Sequence, residues 1–137
     1  MGEIAVNMIK MKTAELIGPA LDWAVAKALG GEHKPFRFAS NDNAPMDMAW
    51  VFPHGYACTR WSPSTDWSQG GPLIDKYKAC LAEIGDGLWC VAFEPGERFC
   101  NWGDSGYGST PLIAVCRAIV REKLGIEVSV PAELVSP

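Results

Sequence analysis

Residues 110–125 read TPLIAVCRAIVREKLG, and this stretch decides much of the fold. Thr110 is a good helix cap, Pro111 suits the first helical position, and Gly125 suits the residue after the last turn. The apolar residues between them recur at helical spacing: Leu112, Val115, Cys116 and Ile119. Since further apolar residues widen this stripe, the pattern predicts a largely buried helix over residues 111–124.

A second helix is predicted over residues 19–29. Pro19 follows Gly18 and suits the first helical turn, and Gly30 follows the last turn. The apolar face of this helix is formed by Leu21, Ala24, Val25 and Ala28. Such a face is predicted to pack on a sheet.

Four short stretches have the composition of strands. Residues 78–84 and 88–93 flank a Gly-Asp-Gly break at 85–87, which predicts an antiparallel hairpin. Residues 7–12 and 127–130 are predicted as further strands. We therefore expect an α+β fold, with two main helices packed on a small, mostly antiparallel sheet and with long ordered loops.

Prolines and turn-forming residues recur throughout residues 32–72, which predicts that this segment is mostly loop. Residues 40–47 are expected to be mobile. Residues 50–60 are apolar enough to pack and to include a strand, and residues 61–72 are expected to be an ordered loop held by two tryptophans.

The chain has 137 residues, which predicts one domain spanning 1–137. Residues 1–9 are interpreted as an N-terminal extension and residues 33–59 as a loop-rich insertion. Hydrophobic residues make up 48% of the chain, enough for a core of its own. The formal net charge of -4 argues against binding to duplex DNA through its phosphates.

Membrane association is not expected, because no stretch reaches the roughly 18 consecutive apolar residues that span a bilayer. The first residues also lack the apolar core of a signal peptide. The 5 cysteines are odd in number and have no C-x-x-C spacing, which argues against a disulfide framework and a zinc knuckle. We expect free thiols, a cytoplasmic location, and neither a metal nor a cofactor.

Residues 103–106 read GDSG, the tetrapeptide around the nucleophile of chymotrypsin-like serine proteases. A chain of this length does not hold the two barrels of that fold, and a capped helix follows directly. Ser105 is therefore predicted to lie in a turn and not to be catalytic. The same glycines can also present backbone N–H groups to an anion at the helix N-terminus, although Pro111 removes one donor.

Residues 61–72, WSPSTDWSQGGP, form the strongest candidate for a binding loop. Gly70 and Gly71 allow a ligand or another chain to approach closely. A self-capped loop pinned by Trp67 is the structural alternative, because the polar side chains of this segment can bond their own backbone.

Arg117 lies among apolar residues of the longer helix, so its charge should be compensated by a carboxylate. Asp66, Asp22 and Asp104 are the candidates. A structural ion pair and an anion clamp both remain open, and in either case we expect Asp66 and Arg117 to belong to one site.

Four motifs of the chain match the pattern of a known family. The first two are K-T-x-E-L-x-G-x-A-L-D-W-A-V-A at residues 12–26 and S-P-S-T-D-W-x-Q-G-G-P at 62–72. The other two are Y-G-x-T-P-L-I-A-x-x-R at 107–117 and E-V-x-V-P-x-E-L at 127–134. These motifs resemble those of the NinX-like proteins of tailed bacteriophages and prophages, a family of unknown function. Departures from the family pattern are Trp61 in place of Tyr, the N-terminal extension and the loop-rich insertion.

The resemblance implies a phage or prophage origin and hence the cytoplasm of a bacterial host, and it assigns no activity. Motif positions that lie in loops or at helix starts are better pointers to binding than core positions. The candidate ligand-binding residues are therefore Asp22, Trp23, Ser64, Thr65, Asp66, Trp67, Gly70, Gly71, Thr110 and Arg117.

The leading hypothesis is a non-enzymatic accessory protein that binds a host protein or a small anionic metabolite or nucleotide. One alternative is a small hydrolase or transferase in which Asp66 or Asp22 acts as a general base beside Arg117. Another is an assembly protein without a ligand, whose tryptophans form the face of a homo-oligomer.

Overall fold

The structure is a computed structural model that describes residues 7–93 and 106–135. The helices of this part are α1 (Gly18–Ala28), α2 (Trp67–Lys76) and α3 (Pro111–Leu124). The strands are β1 (Met8–Lys12), β2 (Glu32–Phe36), β3 (Asp47–Val51), β4 (Ala57–Cys58), β5 (Cys80–Glu83), β6 (Trp89–Ala92), β7 (Gly106–Gly108) and β8 (Glu127–Pro131). Short 3-10 helices follow β1 and β8, at Thr13–Glu15 and Ala132–Leu134.

The described strands form three small antiparallel sheets. β1 pairs with β8, so Lys12 lies opposite Glu127. The second sheet has the order β2-β3-β4 and the third the order β5-β6-β7. The α+β fold and the hairpin of β5 and β6 are confirmed. The arrangement of two helices on a single sheet is not confirmed, because the described residues form three sheets and include a third helix, α2.

Helix α3 occupies the centre of the core, as its apolar pattern predicts. Its residues from 112 to 120 are buried, except for Arg117. Helices α1 and α2 and strands β6 and β7 pack on it. The approach of β7 is especially close, since a Cβ on Gly106 would lie 2.6 Å from the carbonyl oxygen of Ala114. Glycine in this strand therefore lets the sheet reach the helix backbone.

Residues 32–72 are largely loop and turn, as predicted, but they also contain β2, β3, β4 and the first part of α2, so the prediction of a loop at 61–72 is wrong from Trp67 onward. Pro35 is compatible with β2, which is an edge strand of its sheet. Helix α2 forms although Gly70, Gly71 and Pro72 lie within it. Its packing on α3 overrides the low helix propensity of these three residues.

Candidate functional site

Asp22 joins α1 to the turn that precedes α2. Its carbonyl oxygen accepts a hydrogen bond of 3.1 Å from Trp61 Nε1, and its Oδ1 accepts one of 2.8 Å from the backbone N–H of Ser64. Two motif segments that are far apart in the sequence are therefore held together by one residue.

Asp22 is only 7% exposed. Burial raises its pKa, and the nearby N–H and hydroxyl of Ser64 offset part of that rise. The Ser64 hydroxyl itself is buried beside the carboxyl without reaching standard hydrogen-bond geometry to any described residue. Asp22, which the sequence offers as a candidate partner of Arg117, thus links two segments of the chain from a buried position.

Gln69, in the first turns of α2, fixes the backbone on either side of Trp61. Its Oε1 accepts a hydrogen bond of 2.6 Å from the Ser62 N–H, and its Nε2 donates one of 2.7 Å to the Arg60 carbonyl oxygen. The sequence prediction omitted Gln69. Its place in the shared W-x-Q-G-G-P motif was the available signal, because a glutamine amide can both donate and accept.

A cavity of about 450 Å³ opens beside the segment that Asp22 and Gln69 hold. We call it the tryptophan pocket. Its aromatic walls come from α1, β2, β3 and the turn before α2, and its lining consists of Pro19, Asp22, Trp23, His33, Trp50, Thr59, Arg60, Trp61, Ser62, Pro131, Glu133 and Leu134. Elements from both sides of the chain's midpoint thus build one concave surface.

The rings of the tryptophan pocket are positioned by regular structure. His33 and Trp50 are register partners on β2 and β3, and their rings lie 5.1 Å apart. Trp61 is fixed through its N–H to the Asp22 carbonyl oxygen, and its ring packs against Phe52 with the ring centroids 4.7 Å apart. Arg60 is exposed and adds a positive charge at the wall, and Glu133 adds a negative one. This arrangement suits a planar ring that carries charged or polar groups.

Seven of the ten predicted site residues are divided among three cavities. Asp22 and Trp23 line the tryptophan pocket. A smaller cavity of about 230 Å³ is lined by Ser64, Thr65, Trp67, Thr110, Leu112 and Ile113. Arg117 lines a third cavity, of about 330 Å³. The sequence prediction missed His33 and Trp50, because it treated residues 33–59 as an insertion, and it missed Arg60, which lies between that insertion and the candidate loop at 61–72.

The close approach that Gly70 permits is between segments of this chain. A Cβ on Gly70 would collide with the Pro63 carbonyl oxygen and would lie 2.7 Å from Leu112 Cδ2. A Cβ on Gly71 would meet only Trp67, at an ordinary 3.7 Å. Gly70 therefore lets α2 lie directly against the preceding turn and α3.

Two of the predicted polar residues cap helices. Asp66 Oδ1 accepts hydrogen bonds from the backbone N–H of Ser68 at 2.9 Å and from its hydroxyl at 2.7 Å, and these bonds lower the Asp66 pKa. Thr110 Oγ1 accepts a hydrogen bond of 3.1 Å from the Ile113 N–H, which confirms the predicted cap of α3.

The expected ion pair of Arg117 is not formed within the described part of the chain. Its Nε donates to the carbonyl oxygen of Leu16 at 2.8 Å, and one Nη donates to that of Tyr107 at 2.9 Å. Asp66 is engaged at the start of α2 instead, and Asp104 lies outside the described residues. Backbone carbonyls thus take the place that the sequence assigns to a carboxylate.

The remaining predictions concern the GDSG motif, the cysteines, metal binding and membrane association. Gly103, Asp104 and Ser105 of the GDSG motif, like Cys100, lie outside the described residues, whereas Gly106 begins β7. Cys58, Cys80, Cys90 and Cys116 are free thiols. The described segments hold no group of three His, Cys, Asp or Glu side chains placed to bind a metal ion. They also contain no helix that is long and apolar enough to cross a membrane.

Comparison with known families agrees with the resemblance of the motifs. A family model described as bacteriophage P22 NinX matches residues 12–123, which include the segments that Asp22 links and α3 except for its last residue. The 127–134 motif lies beyond this match. No curated protein matches the sequence. The chain belongs to the NinX family of bacteriophage proteins.

Proposed function

We propose that this phage accessory protein binds a small anionic molecule with a planar ring, such as a nucleotide, in the tryptophan pocket. The observation that carries the proposal is the convergence of Trp23, Trp50 and Trp61 with Arg60 on one cavity of about 450 Å³. We place this activity in the cytoplasm of the bacterial host.

The dimensions and chemistry of the pocket support a small ligand. Cavities that bind small molecules measure about 300–1,000 Å³. Stacking of a base on an aromatic side chain contributes about 1–3 kcal/mol. The Arg60 guanidinium can form paired hydrogen bonds to a phosphate or carboxylate. A concave pocket of this size is better suited to such a molecule than to the flatter surface of a host protein.

The positions of the two candidate general bases favour binding over catalysis. A general base must reach the proton that it removes from the substrate. Asp22 is buried and accepts a hydrogen bond from Ser64, and Asp66 accepts two from Ser68. Neither carboxylate lies beside Arg117 as the hydrolase hypothesis requires.

Calorimetric titration with a panel of nucleoside monophosphates, followed in parallel by NMR of the indole N–H groups, tests this proposal. We expect at least one member to bind and to shift the signals of Trp23, Trp50 and Trp61. Trp50→Ala and Arg60→Gln should each weaken binding roughly tenfold, which corresponds to about 1.4 kcal/mol.

Trp67→Ala is the matched control, because Trp67 is 57% exposed and does not line the tryptophan pocket. We expect it to leave the affinity unchanged. Loss of binding in Trp67→Ala with retention in Trp50→Ala would move the site to the cavity beside Thr110. Native mass spectrometry that shows only self-association, together with no binding of the panel, would support the assembly hypothesis instead.

A further inference from the structure

Trp61 also lines a second cavity, which measures about 320 Å³. We call it the aromatic cavity. Four aromatic side chains contribute to its lining, namely Phe52, His54, Tyr56 and Trp61. The rest of the lining comes from Leu29, directly after α1, and from residues of α2. Trp61 is the one residue that this lining shares with the tryptophan pocket, so the two cavities are separate spaces with a common wall.

A tight turn after β3 positions the aromatic rings. The Phe52 N–H donates to the Tyr56 carbonyl oxygen at 2.9 Å, and the Gly55 N–H donates to that of Phe52 at 2.9 Å. Gly55 has a φ of +101°, which glycine adopts without strain. The rings of His54 and Tyr56 stack within this turn at an interplanar angle of 2°. Backbone bonds therefore hold this part of the aromatic lining in place.

Helix α2 contributes to the aromatic cavity from one of its faces. Gln69, Leu73 and Lys76 lie at i, i+4 and i+7, so they share one side of the helix. The Gln69 amide is already bonded to the backbone of Ser62 and Arg60. Leu73 is buried and adds apolar surface to the lining. This face thus offers the cavity apolar surface and one charge.

Lys76 gives the aromatic cavity its charge. Among the described residues that line the cavity, it is the only Lys, Arg, Asp or Glu. It forms no ion pair with residues 7–93 or 106–135, and its Nζ lies 5.6 Å from the centroid of the Tyr77 ring. Aromatic rings alone suit an organic cation as well as an apolar ring. Lys76 would repel a cation and attract an anion, so the charge of this residue decides between the two.

We infer that the aromatic cavity binds a small aromatic carboxylic acid. The ring of the acid packs against Tyr56 and Trp61, and its carboxylate pairs with Lys76. Because Lys76 is exposed, this pair lies at the mouth of the cavity and keeps part of its hydration, so most of the affinity comes from burial of the ring. A volume of about 320 Å³ lies at the lower end of the range for ligand cavities and suits one or two fused rings. This site does not depend on the function proposed for the tryptophan pocket.

The probe is indole-3-acetate, titrated at constant ionic strength and followed by calorimetry and by NMR. We expect binding that shifts the signals of Tyr56, Lys76 and the Trp61 indole, but not the indole N–H signals of Trp23 and Trp50. Tyr56→Ala should weaken binding roughly tenfold, because it removes an aromatic contact. Lys76→Gln should weaken it roughly fivefold, as expected for loss of an exposed ion pair.

Lys78→Gln and Phe38→Ala are the matched controls. Lys78 is exposed just beyond the end of α2, Phe38 is 49% exposed, and neither lines the aromatic cavity. Both variants should bind indole-3-acetate like wild type. Tyr56 and Lys76 are exposed as well, so their replacement should leave the protein folded, which circular dichroism verifies.

Three further compounds separate the contribution of the ring from that of the charge. Indole-3-acetamide keeps the ring without the charge and should bind roughly fivefold more weakly than indole-3-acetate. Tryptamine carries a cation on the same ring and should bind more weakly still. Acetate carries the charge without the ring and should not bind measurably.

The inference is overturned if tryptamine binds as tightly as indole-3-acetate, or if millimolar indole-3-acetate produces no shifts. It is also overturned if Tyr56→Ala and Lys76→Gln both retain wild-type affinity. Shifts of the Trp23 and Trp50 signals would place the acid in the tryptophan pocket and would likewise overturn it. Because nucleotide binding is read from Trp50→Ala and Arg60→Gln, the two proposals fail separately.

Discussion

Helices α3 and α2 both begin at a residue whose side chain caps the helix, yet they differ in what they bury. Helix α3 buries eight of its side chains, whereas α2 buries only Gly70 and Leu73. Helix α3 is the scaffold of the core. Helix α2 lies on the surface of this core, and its Gln69 holds the backbone around Trp61 in place. We therefore call α2 the clamp. The difference separates the residues that maintain the fold from those that maintain the tryptophan pocket.

The strongest test of α2 as a clamp is Gly70→Ala. The new Cβ would collide with the Pro63 carbonyl oxygen, which is backbone and cannot rotate away. We expect a loss of about 2–3 kcal/mol in the free energy of unfolding, measured by urea denaturation. The same substitution should weaken binding in the tryptophan pocket, because α2 must shift and Gln69 moves with it.

Gly71→Ala is the control for that experiment. Its Cβ would make only an ordinary contact with Trp67, and alanine favours helix over glycine. We expect it to stabilise the protein by about 0.5–1 kcal/mol. If both variants were equally destabilised, the close contact at Pro63 would not be the cause.

The side chains that cap α3 and α2 provide a second test of the difference between the two helices. Thr110→Ala should reduce the free energy of unfolding by about 1 kcal/mol, because the Ile113 N–H loses its acceptor at the start of the scaffold helix. Asp66→Ala should act mainly on α2, and the measurement is amide hydrogen exchange. We expect faster exchange confined to α2 in Asp66→Ala and a uniform increase in Thr110→Ala. A uniform increase in both would remove the distinction between scaffold and clamp.

The smallest expected effect concerns Asp22, which ties the clamp region to α1. Its pKa is raised above the ordinary value of 3.8, so the folded state keeps a proton that the unfolded state has already lost. This contribution to stability is complete below pH 3.8 and is lost as the pH rises through the native pKa. The charged form therefore costs stability at neutral pH.

Asp22→Asn removes this charge while its Oδ1 still accepts the Ser64 N–H, and the unpartnered Ser64 hydroxyl can accept from the new amide. We expect the variant to be at least as stable as wild type at pH 7 and to show a flatter dependence of the melting temperature on pH. A marked loss of stability at pH 7 would mean that the ionised carboxylate is needed.

The sequence predicts α3 well because its cap, its first proline, its apolar stripe and Gly125 all agree. The start of α2 carries the same kind of cap at Asp66, but Gly70, Gly71 and Pro72 argue locally against a helix. Only its packing against α3 and Pro63 reverses that preference, and such packing is not visible in a local pattern.

The candidate site, like the helices, could be predicted from the sequence only in part. Asp22 and Trp23 belong to a recognisable motif, whereas His33 and Trp50 come together only through the pairing of β2 with β3. For Arg117, the apolar surroundings correctly indicate that its charge requires compensation. Its hydrogen-bond partners are the backbone carbonyl oxygens of Leu16 and Tyr107. Because every residue has a backbone carbonyl, the residue types in the sequence do not indicate which ones will accept.

The pairing of β1 with β8 also has a consequence for synthesis on the ribosome. The hydroxyl of Thr13, just after β1, donates to the carbonyl of Gly125, just before β8, and the two residues are 112 positions apart. At about 5–20 residues per second, the ribosome needs roughly ten seconds to produce the intervening chain. During that time β1 has no partner strand, and residues 127–131 must leave the exit tunnel before this sheet closes. The nascent protein therefore completes its fold in a late, long-range step, in which the order of synthesis sets the order of assembly.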